Sequence, residues 1–314
     1  MKLATIQEGN WPVAAVMVGD ELLVLSGDHG DPQLAGFPST VIGLLHDGPE
    51  TMQRLADAIA RLGNDKARLA TLRAAGALRP YDEDLLLAPI PIPGTMFAAG
   101  LNYLDHLEEM GSPIPKEAYV FHKSVASITG PRSAIARPVG HTGMVDWEAE
   151  PAVVIGVECH RVSEADALSY VAGYMVANDV SARDWLDPVF QNPGIMEPIV
   201  NWDRNMMGKS FPTFCPLGPV LVTADEIPDP QVLPISSRVN GSVMQESNTR
   251  LMIFSVAQII AHLSRWYVLR PGDVILTGTP AGVGVGRTPR IFLQGGDVVE
   301  VEIQGLGRVV NSVQ

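Results

Sequence analysis

Two glutamates stand two residues apart in Asp146-Trp147-Glu148-Ala149-Glu150, directly ahead of the apolar run Ala152-Val153-Val154-Ile155-Gly156-Val157. If a strand begins there, its period of two puts both carboxylates on one face. Carboxylates that close repel unless a cation or a shared proton lies between them. A hard divalent ion with oxygen ligands meets that need. Two solvated acids on an exposed face is the competing reading, and the buried character of the following run weighs against it. A third acid, Asp179, lies in Asn178-Asp179-Val180-Ser181-Ala182-Arg183-Asp184. Three carboxylates leave room for water and substrate oxygens around an octahedral Mg2+ or Mn2+. Taken alone, Asp179 and Arg183 also fit an exposed ion pair worth a few tenths of a kcal/mol.

Three further strings carry chemistry. His106-Leu107-Glu108-Glu109 puts an imidazole and a carboxylate one helical turn apart on one face, where the acid raises the base and the pair can take a proton from water. An ordinary surface pairing fits the same spacing. Lys209, in Gly208-Lys209-Ser210-Phe211, is a compact point charge suited to an enolate or oxyanion, or else a solvated lysine. Leu276-Thr277-Gly278-Thr279-Pro280-Ala281-Gly282-Val283-Gly284 brings backbone N–H groups and hydroxyls to a strand end, as either a carboxylate nest or a plain turn. Gly282, Gly284 and Gly286 do not make a dinucleotide fingerprint, because Arg287-Thr288-Pro289-Arg290 cannot open the required helix. No P-loop, Gly-x-Ser-x-Gly elbow, His-Glu-x-x-His or zinc-spaced cysteine pair is present.

The elements that must position these residues follow from periodicity. Short strands are expected within 12–26 and a helix over 50–76, with Met52, Leu55, Ile59 and Leu62 on one side. Pro89, Pro91 and Pro93 make 85–94 a connector. This places a small N-terminal α/β domain at 1–90 and a mostly-β domain with a few helices at 91–314, an α+β chain. Ser163, Glu164 and Asp166 read as a helix start leading through Ala167 to Met175, and 250–267 as the clearest helix. Asp273-Val274-Ile275-Leu276-Thr277-Gly278 reads as a strand running into a Gly-rich loop, and the alternating 298–303 as an outer strand. Pro151 removes an N–H, which predicts an edge or strand-start position.

Composition bounds the function classes. The 314 residues carry 35 acidic and 22 basic side chains, for a formal charge of −13, which argues against nucleic acid or anionic lipid as partners. A chain this long needs neither disulfides nor a structural metal, so a metal would serve chemistry. Cys159 and Cys215 read as buried reduced thiols. No apolar run suits a signal peptide or a membrane span, and the cytoplasm is the expected compartment.

In this order, the strings Gly100-Leu101-Asn102-Tyr103 with His106 and Glu109, Asp146 to Glu150, Asn178 to Asp184, Gly208 to Phe211, Val239-Asn240-Gly241 and Leu276 to Pro280 resemble the fumarylacetoacetate hydrolase family. The resemblance implies a mixed β-roll catalytic domain, a homodimer, and Mg2+ or Mn2+ (or Ca2+) on Glu148, Glu150 and Asp179. It makes His106 and Glu109 a water-activating dyad on a covering segment and Lys209 a charge stabiliser. Arg183, Thr279 and Tyr103 become substrate contacts. Two departures stand out: Leu186 where the family often has Gln, and Pro151 where it more often has Leu. The long segment from Arg183 to Lys209, with Trp185, Phe190, Trp202, Met206 and Met207, either shapes a less polar pocket end or contacts a second subunit. The implied activity is hydrolysis of a C–C bond in a 2,4-dioxo acid such as an acylpyruvate. The alternatives are isomerisation, decarboxylation or hydration of a 2-oxo acid (a hydroxydienedioate or oxaloacetate), and a non-catalytic 2-oxo-acid-binding protein.

Overall fold

The computed structural model describes residues 1–26, 31–140, 143–185 and 197–314, with 197–202 described as backbone only. Leu186 and Phe190, and the Trp202 side chain, lie outside the described residues. Among the described residues, ten strands make the path of the main sheet. Its middle is built from Lys2–Glu8, Cys215–Thr223, Val171–Asn178, Ala149–Ile155, Val274–Leu276 and Met96–Gly100, in that order. Trp11–Val18, Glu21–Val24 and Leu78–Pro80 extend one side, and Tyr119–His122 closes the other. Leu3 pairs with Leu221, so the N-terminal strands share the ladder that carries the acidic residues.

Alternation along these strands sends residues to two buried faces. Ala152 and Val154 enter one core, and Val153 and Ile155 the other. That explains why this strand reads as an unbroken apolar run: both of its faces are covered. The helices Val41–Asp47, Pro49–Gly63 and Lys66–Ala74 cover the first face through Leu44, Leu55, Ala58, Leu62 and Leu72. The helix Val256–Ser264 and the four-stranded sheet holding Pro234–Val239 and Val298–Ile303 cover the second, through Ile259, Leu263, Ile235 and Val301. The result is a mixed α+β chain dominated by sheet.

Several elements differ from the periodicity. The expected helix over 50–76 is two helices. Asp65 accepts a hydrogen bond from the Arg68 N–H at 3.0 Å and caps a new start, so local capping outweighs the continuous stripe. The expected helix through Met175 is only a 3-10 turn, Ala167–Tyr170, followed by strand Val171–Asn178. Burial between two neighbouring strands decides the matter there. A Cβ on Gly173 would lie 2.2 Å from the Val222 carbonyl oxygen, so only glycine allows the two backbones to approach. The helix expected over 250–267 spans Val256–Ser264, because Ser255 and Gln258 form a reciprocal capping box that sets its first turn. Strand Val298–Ile303 is flanked on both sides, by 234–239 and 307–312, and is not an outer strand. Pro151 is not at a sheet edge or a strand start: it is the third residue of Ala149–Ile155, a strand paired on both sides, and it stands opposite Val176. It is tolerated next to Val274–Leu276 because that ladder begins at Ala152, so its missing N–H breaks no bond on that side.

Candidate active site

The register of two central strands builds the acidic cluster. Ala149 pairs with Asn178, which sets Glu148 opposite Asp179 across the ladder. The Asp179 N–H donates to the Glu148 carbonyl at 2.9 Å, and the Glu148 N–H donates to Asn178 Oδ1 at 3.0 Å. Glu150 follows two residues on, on the same face. Each of Glu148, Glu150 and Asp179 places a carboxylate oxygen within 4.8 Å of the others, and all three are buried.

Buried cations face the cluster from three other segments. Lys209 Nζ lies 2.6 Å from Glu148 Oε2 and 2.9 Å from Asp179 Oδ2, and donates to Ser181 Oγ at 2.9 Å. Lys123 Nζ lies 2.7 Å from Asp179 Oδ1 and also donates to the Lys209 carbonyl. Arg183 spans Glu148 Oε1 at 2.5 Å and Asp146 Oδ2 at 3.0 Å. Asp146 accepts in turn from the N–H groups of Gly284 and Val285, at 2.6 and 3.0 Å.

The charges resolve unequally. Burial pushes Lys209 down, but the Asp179 and Glu148 carboxylates outweigh it and raise its pKa. Burial pushes Glu148 up, yet Lys209 and Arg183 bring it down to about 2. Glu150 takes part in no ion pair among the described residues and accepts one hydrogen bond, from the Gly278 N–H at 2.7 Å. Burial, with Asp179 and Glu148 facing it, therefore raises Glu150 well above the carboxylate range. An unpaired buried carboxylate facing two others, in an all-oxygen donor set, fits a hard divalent cation.

A cavity of about 360 Å3 opens onto the cluster. His106, on helix Leu104–Met110, lines it with the three acids. His106 Nδ1 meets Glu109 Oε2 at 3.1 Å, and Glu109 Oε1 accepts from the Gly282 N–H at 3.0 Å. Asn102 anchors the start of that helix, donating to the Thr277 carbonyl at 2.8 Å and accepting from the Phe254 N–H at 2.8 Å. Thr279 also lines the cavity, and its Oγ1 accepts from Gln245 Nε2 at 2.7 Å, leaving the hydroxyl proton for a ligand.

Of the residues singled out from sequence, His106, Glu148, Glu150, Asp179, Arg183, Lys209 and Thr279 line this one cavity, and Glu109 joins them through His106. Tyr103 does not line it. It is fully buried, its hydroxyl has no hydrogen-bond partner among the described residues, and burial followed by the Glu150 charge raises its pKa. From the 183–209 segment Asn205 reaches the cavity, while Trp185 packs edge-on against Phe211 with centroids 5.5 Å apart. Lys123, Gln245 and Asp146 were not identified as site residues. Lys123 and Gln245 lie in no recognisable string, and their roles exist only through strand pairing. Asp146 was visible beside the glutamates, with nothing to mark it as the partner of Arg183. Cys159 and Cys215 are free and buried, and burial raises both thiols, to about 11 and about 12. Neither is poised as a thiolate nucleophile.

Comparison with known proteins matches residues 95–314 to the fumarylacetoacetate (FAA) hydrolase C-terminal family. The mitochondrial oxaloacetate tautomerase FAHD2B of Homo sapiens is 40% identical over 330 residues, covering 99% of this chain and 96% of that protein. A fumarylacetoacetate hydrolase from the psychrophile Exiguobacterium antarcticum superposes with a TM-score of 0.78 at 32% identity, covering 100% of this chain and 99% of the other. Maleylpyruvate hydrolase from Sphingobium sp. SYK-6, solved with manganese(II) and pyruvate, superposes with a TM-score of 0.72 at 26% identity, covering 100% and 98%. Among the described residues no helix is long and apolar enough to cross a membrane.

Proposed function

As the chain belongs to the fumarylacetoacetate hydrolase family, we propose that it is a divalent-metal-dependent enzyme interconverting the keto and enol forms of a 2-oxo dicarboxylate of the oxaloacetate type. The observation that carries this reading is the buried triad Glu148, Glu150 and Asp179 sharing one cavity with a His106 whose Nδ1 is engaged by Glu109. The tautomerase name of the Homo sapiens relative directs the choice of reaction.

Glu148, Glu150 and Asp179 would hold Mg2+, Mn2+ or Ca2+, and the bound ion would supply Lewis acidity to the 2-oxo oxygen. The protein's own groups handle the proton. With Nδ1 held by Glu109, His106 exchanges a proton at Nε2. The proton leaves C3, the C–H electron pair becomes the C2–C3 double bond, and the 2-oxygen takes a proton to give the enol. Lys209, kept charged by Glu148 and Asp179, stabilises the negative charge that develops on the way. Thr279 Oγ1 donates to the C1 carboxylate, with Gln245 fixing its orientation. Arg183 braces Glu148 against Asp146 and acts on substrate only from the cavity wall.

A second reading, hydrolysis of a C–C bond in a 2,4-dioxo acid, is favoured by the same dyad. Glu109, braced by the Gly282 N–H, suits His106 to taking a proton from water as well as from carbon. The two readings separate in one experiment. Enol oxaloacetate, acetylpyruvate and fumarylpyruvate are each followed by enol absorbance with Mg2+, Mn2+ or EDTA, and the products are identified by mass. Faster metal-dependent equilibration of oxaloacetate with no loss of total oxaloacetate supports the tautomerase. Pyruvate plus the matching acid from a diketo acid, with oxaloacetate equilibrating at the background rate, replaces it with the hydrolase.

A further inference from the structure

The charges around the cavity leave one part of a dicarboxylic substrate without a partner. Asp146, Glu148, Glu150 and Asp179 are four buried acids, and Lys123, Arg183 and Lys209 are the three cations paired with them. Among the described residues, a divalent ion on the triad turns this into an excess of one positive charge before the Glu109 carboxylate on His106 is counted, enough for one carboxylate at most. A second carboxylate in the same cavity needs a cation that is not already committed.

Among the described residues, three Arg or Lys side chains line the cavity, namely Arg183, Lys209 and Arg290. Arg183 and Lys209 are committed to Asp146, Glu148 and Asp179. Arg290 is exposed at the cavity mouth and takes part in no hydrogen bond or ion pair among the described residues. It extends from a fixed loop. Gly284 donates to Asp146, Ile291 donates to the Gly284 carbonyl at 3.2 Å, and the neighbouring Arg287 is spent on the carbonyls of Gly282 and Met244. Of the two guanidinium groups on this loop, one ties the backbone down and the other faces the cavity without a partner. A planar fork of N–H donors matches a carboxylate bidentately.

We propose that Arg290 is a specificity-determining residue that binds the distal carboxylate of a 2-oxo dicarboxylate whose 2-oxo acid end lies at the acidic triad. This rests on the substrate class named under Proposed function. The test compares oxaloacetate with its 4-methyl ester, which has the same 2-oxo acid end and a neutral distal end, in the wild-type protein, Arg290→Gln and Arg290→Lys, all Mn2+-loaded. Removing one charge-assisted contact should lower the preference for oxaloacetate over the ester, as the ratio of kcat/KM values, on the order of tenfold to a hundredfold in Arg290→Gln. Arg290→Lys should retain part of that preference, because the charge remains and the fork is lost. Turnover of the ester reports that each variant is folded.

An unchanged ratio in Arg290→Gln, or equal losses with both compounds, would overturn the assignment. Should the wild-type protein convert neither compound, the tautomerase reading fails by itself. Calorimetric titration of the same proteins with the same two compounds then decides the Arg290 assignment. A wild-type affinity preference for the dicarboxylate that Arg290→Gln abolishes sustains it, and equal affinities in both proteins refute it.

Discussion

The two walls of the cavity are held in place by different means. The floor, with Glu148, Glu150 and Asp179, grows from adjacent strands inside the main sheet, and ion pairs from Lys123, Arg183 and Lys209 cross it. The cover, with His106 and Glu109 on a seven-residue helix and the loop from Gly282 onward, is held by hydrogen bonds to backbone and neutral groups, and its loop is tied to the floor through the Gly284 and Val285 N–H groups on Asp146. A network of buried charges has few alternative arrangements, since breaking any member leaves another uncompensated. A short helix held by hydrogen bonds, with no buried cation among the described residues committed to it, has more. The contrast assigns position to the floor and proton transfer to the cover, and each change below should disturb one wall and spare the other.

The largest effect is expected on the floor. Glu148→Gln removes a ligand and leaves Lys209 and Arg183 facing a neutral amide. It should abolish metal binding and turnover together and destabilise the protein by about 3–5 kcal/mol, seen as a lowered Tm in EDTA. Glu150→Gln sharpens the point. Glu150 has no ion-pair partner among the described residues, so its loss should abolish metal binding while leaving the Tm in EDTA unchanged or higher. Equal destabilisation by the two variants would show that the floor is not organised by these ion pairs.

On the cover, His106→Ala should reduce kcat by about 10²–10⁴-fold while the Mn2+ affinity measured by calorimetry stays within about threefold of wild type, because no ion pair of the floor depends on it. Gly286→Ala is a subtler intrusion. The new Cβ would lie 2.4 Å from the Glu109 carboxyl carbon, so the dyad must shift. A displacement of this kind should cost about 10–100-fold in kcat, again with metal affinity retained. Wild-type turnover from Gly286→Ala would remove Glu109 from the proton path.

These two walls were not equally visible before the structure. The floor was legible because its residues come in short strings, Glu148 with Glu150 and Asp179 with Arg183, where a period of two and charge repulsion already imply a cation. The direct partners of those acids were only half legible. Lys209 stood out in its string, but Lys123 reaches Asp179 only because strand Tyr119–His122 pairs with Met96–Gly100. Gln245 reaches Thr279 from the second sheet, and no local pattern carries a contact 34 residues long. Helix limits were set by Asp65 and Ser255 as caps, a signal present in the sequence but outweighed there by apolar periodicity. Strand Val171–Asn178 could not be told from a helix by its run of apolar residues, because burial on both faces erases the alternation that distinguishes the two.

The smallest effect separates floor from cover by pH. In the metal-free protein burial, with Asp179 and Glu148 facing it, raises Glu150 above its unfolded value, so between the unfolded and the folded pKa it carries a proton that a divalent ion must displace. Apparent Mn2+ affinity should therefore rise with pH by up to about tenfold per unit while Glu150 is protonated in the free protein, and level off above its folded pKa. Glu148, already held at about 2 by Lys209 and Arg183, adds nothing to that slope. In His106→Ala the slope should persist, since the proton belongs to the floor, and calorimetry in buffers of different ionisation enthalpy should report close to one proton released per ion bound. A slope that vanished with His106 would place the displaced proton on the cover and reverse the division of labour between the two walls.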